Sequence, residues 1–155
     1  MRLAVKALLG WFVLFGLVIG LWQAAFPESF YADFPGMGHH WVSPDGPYNE
    51  HLLRDVGLGN LAVATVALVA LLTGVVWVAR AAGLAVVVLD LPHQLYHQLH
   101  VSVLPTTADQ VLQSTTLAAV SLAAVALLVL AFRLPAGPPS AAPVTDSRAP
   151  APTHS

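Results

Sequence analysis

The sequence predicts an all-α membrane protein, a four-transmembrane-helix bundle with a structured outer loop between its first and second spans. Two observations carry this. Hydrophobic residues of the AVILMFWYC set make up 57% of the chain and charged residues only 9%, whereas a water-soluble domain devotes about 25% of its residues to charge. So few charges cannot cover a surface that faces water. The apolar residues are also gathered into four runs, each near the roughly 20 residues a helix needs to cross about 30 Å of hydrocarbon.

The first run, Ala7 to Phe26, carries no charge. Arg2 and Lys6 precede it, so a cleaved secretory signal is the competing reading. The run is long for a signal core, and the stretch GLWQAAF is a poor small-x-small cleavage site, which favours a retained helix. The second run covers about 56–79 and the third about 81–100, with Arg80 in a tight turn between them. The fourth covers about 111–132 and ends at Arg133. Residues 1–134 thus form one transmembrane domain. The remainder, 135–155, is rich in Pro, Ala, Ser and Thr, a composition with too little apolar bulk to offset the entropy of ordering it. It is expected to be a disordered cytoplasmic tail.

Orientation follows from the positive charges, because Lys and Arg near span ends stay on the cytoplasmic side. Of the 6 Lys and Arg residues, Arg2, Lys6, Arg80, Arg133 and Arg148 fall on one side of a four-span arrangement and Arg54 alone on the other. Both termini are therefore expected in the cytoplasm. The net charge of -2 offers no basic surface to track phosphates, so nucleic acid is excluded as a partner. The chain has no cysteine, which excludes disulfides, thiolate metal sites and cysteine catalysis. The lipid bilayer is the partner that remains.

The connection between the first two spans, 27–55, is long for a structureless loop. PESFYADF sets Phe30 and Phe34 four apart, which suits a short helix lying in the interface. PGMG then breaks that helix, and SPDGP is dense turn chemistry. Asp45 or Gly46 can cap a second helix with Pro47 at its first position. That helix is expected to begin near Pro47, protrude, and enter the membrane near Val56. Glu50 with Arg54, and His51 with Asp55, are four apart and suit ion pairs along one face. Either they form an ordinary solvated helix end, or that face looks across at the third span.

The third span carries the strongest functional signal. At 100° per residue, Asp90, His93, His97 and His100 lie within an arc of roughly 80°, one polar stripe on an apolar helix. Asp90 lies well inside the hydrocarbon, where an ionisable group is costly unless paired and by default marks a functional site. Pro92 removes the backbone bond to Val88 and frees a carbonyl beside it. Candidate partners at matching depth are Asn60, His51, Asp55 and the pair His39 and His40, with Gln110, Gln113, Ser114, Thr115 and Thr116 on the fourth span. Together these would close an outward-facing polar pocket over Asp90.

His93 and His97 have the spacing that can put two imidazoles on one divalent transition metal. HQLYHQLH lacks the Glu of the HExxH zinc-hydrolase motif, and no triad order, phosphate loop or paired-carboxylate spacing suggests an enzyme. The favoured reading is therefore an accessory protein that binds a small ligand or lipid at this pocket. The alternative is a metal-dependent membrane enzyme or redox-complex subunit using the same histidines. Gly16 and Gly20 form a GxxxG pair suited to close helix packing, within the bundle or against a second copy.

FPESFYADFPG, GPYNEHLLRDVGLGNLA and LPHQLYHQLH, in this order on a four-span frame, resemble small DoxX-like integral membrane proteins, particularly an uncharacterised actinobacterial branch. The resemblance covers about 7–132. It implies a four-helix bundle in a bacterial plasma membrane and a membrane redox assembly as a partner. It carries no catalytic residue over to this chain.

Overall fold

The computed structural model describes residues 1–135. Its long helices are α1 (Leu3–Ala25), α3 (Glu50–Thr73), α4 (Val76–Leu99) and α5 (Thr107–Phe132), with a short α2 (Pro27–Asp33) between the first two. A two-residue hairpin, β1 (Pro35–Gly36) and β2 (His39–His40), and a 3-10 turn at Ser43–Asp45 follow α2. All four long helices are long and apolar enough to cross a membrane. The chain is a multi-pass membrane protein. The expected disordered tail lies, apart from Pro135, outside the described residues.

The helices form two close antiparallel pairs, α1 with α3 and α4 with α5. A tight turn joins α3 to α4, and α5 closes the ring against α1. One pole of the bundle holds the α3–α4 turn and both ends of the described chain. The other, the loop pole, holds the segment 26–49 and the α4–α5 connection.

Two expected boundaries are corrected. The second helix runs Glu50–Thr73, starting close to the expected Pro47 but ending short of 79, and the third starts at Val76, not 81. Asn49 caps the first of these, its side chain accepting from the Leu52 amide at 3.0 Å, which satisfies one of the free amides of the opening turn. Asp45 and Gly46 instead end the 3-10 turn upstream. At the far end Gly74 takes the left-handed conformation, φ 68°, which glycine alone adopts without strain and which stops a helix. A run of apolar residues hides such a stop because hydropathy does not register backbone handedness.

Arg80 consequently sits on the second turn of α4 rather than in the connection. Its guanidinium donates to the carbonyls of Ala131, Phe132 and Leu134 at 3.3, 3.4 and 2.8 Å. These belong to the end of α5, where carbonyls lack intrahelical partners and the dipole favours a cation. The Trp77 and Phe132 rings flank the charge at 4.5 and 5.2 Å.

Packing is thin by the standard of a soluble core. Only 22–28% of each span is buried inside the protein, and large apolar side chains such as Val18, Leu72, Trp77 and Leu122 stand exposed. In water such a surface would associate; in a bilayer it is the lipid-facing side. The apolar core, with Val5, Leu9, Phe12, Ala67, Ala82, Val86 and Leu127, fills the half of the bundle away from the loop pole.

The α1–α3 pair is held at backbone distance. A Cβ on Gly16 would lie 2.8 Å from Ala64 Cβ, and one on Gly57 would lie 2.7 Å from the Ala24 amide nitrogen. The GxxxG pair of α1 thus finds its partner within the chain, at Gly57 and Ala64 of α3. Gly57→Val should cost about 2–3 kcal/mol through overpacking. Thermal unfolding in detergent checks this, with Gly59→Ala, whose Cβ would meet nothing within 4 Å, expected to leave the midpoint unchanged or slightly higher.

Candidate functional site

The α4–α5 pair has a register that can be read from its contacts. Arg80 bonds to Ala131, Gly83 packs on Leu128, Ser121 donates to Asp90, and Gln98 donates to Ser114. Toward the loop pole the contacts change from apolar to polar. Asp90 is 8% exposed and its Oδ2 accepts from the Ser121 hydroxyl at 2.5 Å. It lies about 14 Å from the end of α4, counted at 1.5 Å per residue. A carboxyl at that depth cannot be hydrated by bulk water, so the Ser121 hydroxyl replaces part of its solvation.

One turn further along α4, the side-chain oxygen of Gln94 is buried without a hydrogen-bond partner. A buried amide oxygen left unpaired costs about 1–3 kcal/mol, so its presence is itself informative. Gln98 then donates to Ser114 at 2.8 Å, with buried Gln113 beside Ser114. These residues make a polar column along the α4–α5 interface from Asp90 toward the loop pole.

Asp109 ends the column. It stands in the first turn of α5 and accepts from His39 Nδ1 at 2.6 Å, Trp41 Nε1 at 3.0 Å and Thr106 Oγ at 2.5 Å. Thr106 in turn accepts from the Asp109 amide at 3.0 Å, a reciprocal cap at a helix N-terminus where a carboxylate is favoured. The loop is thereby tied to α5. Aromatic contacts carry the tie back to α1 through Trp22, Phe30, Phe34 and buried Trp41, with centroids 4.6–6.0 Å apart along the series. The short helix expected over PESFYADF is α2, with Pro27 at its first position and Phe30 buried beneath it.

The histidines lie on one shoulder of this column. His93 and His97 are neighbours, ring centroids 4.5 Å apart and nearly perpendicular. His97 is half-buried and His93 exposed. The 3-10 turn brings Asp45 to this face of α4. Tyr96 donates to Asp45 at 3.5 Å. His100 is exposed, stacks on Tyr96 at 4.2 Å, and donates from Nδ1 to the Tyr96 carbonyl at 2.8 Å.

The expected pocket is thus divided. His51 pairs with Asp55 at 3.3 Å along the exposed face of α3, the bland arrangement of the two that the spacing allowed. Asn60 turns to α1, donating to Gln23 at 2.7 Å. His40 donates to the Ala32 carbonyl at 2.5 Å, and His39 belongs to the Asp109 knot. Asp90, His93 and His97 remain together. Among the described residues no three His, Asp or Glu side chains converge as metal ligands, so the His93–His97 pair lacks the third donor that zinc sites require.

Comparison of the chain with known protein families, curated proteins and solved structures finds no match. The site must be read from its own chemistry.

Residues that sequence reasoning passed over are Gln94, Asp109, Ser121 and Trp41. Thr106 and Asp109 do carry a capping signal, a hydroxyl followed three residues later by an acid. Ser121 is a lone hydroxyl in an apolar run, and only the register of α4 against α5 gives it meaning. Asp109→Ala should strip acceptors from His39 and Trp41 and free the loop. Hydrogen exchange across 35–46 is expected to accelerate by about tenfold or more for a loss of roughly 1–3 kcal/mol, while α4 and α5 stay protected; unchanged exchange would show that the knot does not hold the loop.

Proposed function

We propose that this chain is a non-enzymatic accessory protein of a bacterial plasma membrane. In this reading it is a DoxX-like four-helix protein that binds a small hydrogen-bond-donating ligand, or a lipid headgroup, along the α4–α5 polar column. One observation carries the reading. Asp90 is buried at depth with one oxygen taken by Ser121, and a turn away the Gln94 oxygen is buried with no partner. Both are acceptors. An unfilled set of acceptors in low dielectric is complementary to an amine or a polyol, and it disfavours anions.

His93 and His97, on the shoulder of the column beside the Tyr96–Asp45 contact, would form its entrance. The DoxX-like resemblance implies a membrane redox assembly as the partner, and a second copy of the chain is the other candidate. Co-purification from native membranes tests that part.

A thermal-shift screen of the detergent-solubilised protein against amines and polyols tests the binding reading. A ligand should emerge whose affinity falls about tenfold, equivalent to 1.4 kcal/mol, in both Asp90→Asn and Gln94→Leu. If every ligand found stabilises these variants as well as the parent, the column is structural only. The purified protein should also carry less than about 0.1 transition metal per chain, since among the described residues no third ligand supports the His pair.

The orientation proposed has both termini in the cytoplasm. It is supported by Arg2, Lys6, Arg80 and Arg133 gathering at the pole opposite the loop, with Arg54 alone at the loop pole. A reporter fused after residue 135 should be active in the cytoplasm, and one inserted at Met37, which is 99% exposed, should be active outside. The reverse pattern would invert the topology.

A further inference from the structure

A second feature lies away from the polar column, at the elbow where α1 gives way to α2. There a crevice of about 370 Å³ is lined by Phe26, Glu28, Ser29, Tyr48, Glu50 and Arg54 among others. We propose that it binds the zwitterionic phosphoethanolamine headgroup of a membrane phospholipid.

Its depth is right for a headgroup. The crevice sits beside Ala25, the last residue of α1, at the end of a helix long enough to cross the hydrocarbon. Phe26 stands 67% exposed and Tyr48 40% exposed at its rim, and rings of this kind favour that level.

Its charges are fixed in place. Arg54 donates from Nε to Glu50 at 2.9 Å, pairs with it again through a terminal nitrogen at 2.8 Å, and donates through the other to the Ala24 carbonyl. Ala24 belongs to the last turn of α1, whose carbonyls have no helical partner, so the guanidinium is anchored to both helices. These contacts engage three of the five N–H donors of an arginine, leaving two to meet a phosphate. Glu28 is exposed and has no described partner.

The balance of charge selects the ligand class. Glu28 and Glu50 against Arg54 leave one negative charge in excess. An anionic headgroup would add to that excess. A zwitterion instead sets its phosphate on Arg54 and its cation between the carboxylates. A primary ammonium offers N–H donors to them, whereas a quaternary ammonium offers none. Tyr48 adds a hydroxyl that can donate to the phosphate.

Native mass spectrometry of the delipidated full chain in detergent tests this, with phosphatidylethanolamine, phosphatidylcholine and phosphatidylglycerol added at equal concentration. Phosphatidylethanolamine adducts should exceed either of the others by about fivefold or more. Glu28→Gln should cut that preference to about twofold or less with little change in the thermal midpoint, because the side chain makes no hydrogen bond or ion pair among the described residues and lies only in the first turn of α2. Arg54→Gln should remove the adduct. Should that variant fail to fold, Glu28→Gln together with Tyr48→Phe decides the matter, each expected to weaken the preference. Equal uptake of the three lipids overturns the proposal, as does a preference that survives Glu28→Gln. Soluble phosphoethanolamine should compete only weakly; if it binds as well as the lipid, the site serves a free metabolite and the lipid assignment is wrong.

Discussion

Lipid tails are as apolar as leucine, so these four helices gain nothing by hiding hydrophobic side chains from one another. With under a third of each span buried, association has to come from close backbone approach and from polar groups with nowhere else to go. Both devices are present, and they are divided between the two helix pairs. The α1–α3 pair uses glycine and alanine, bringing Gly16, Gly20 and Gly57 to distances that no Cβ would tolerate. The α4–α5 pair uses an ion-to-carbonyl clasp at Arg80, a close approach at Gly83, and the Asp90–Ser121 bond.

That division sets the character of the two halves of the bundle. Away from the loop pole, Val5, Leu9, Phe12, Val86 and Leu127 fill the centre. Nearer the loop, polar side chains replace them, and the polar column rises to Asp109. There the loop takes over the role of core: Trp41 and Phe30 are buried, and the Asp109 carboxylate gathers His39, Trp41 and Thr106. The knot ties the loop to α5 and so closes this end of the polar column.

The correspondence between sequence and structure is uneven in an instructive way. The four spans, the short helix at PESFYADF and the turn chemistry around SPDGP were legible, because hydropathy, aromatic spacing and Pro/Gly placement are local properties. The α3–α4 boundary was not. Arg80 looked like the natural break because charges avoid hydrocarbon, yet Gly74 makes the turn and Arg80 is used six residues later to close the end of α5. The polar stripe on α4 was visible from its period, but its partners were not. Asn60 and the His51–Asp55 pair are candidate partners by depth alone, but one faces α1 and the other forms the solvated helix end that its spacing also allows.

The sequence by itself determined the solvent and the number of spans. These follow from composition and from a rise of 1.5 Å per residue, quantities that need no neighbour. Only the tertiary structure decided which polar groups meet. Rotation about a helix axis and the register of one helix against another are set by contacts between distant residues, such as Gly57 against Ala24 or Asp90 against Ser121. A one-dimensional pattern specifies which face of α4 is polar, but packing alone places Ser121 opposite it and leaves Gln94 waiting for a donor.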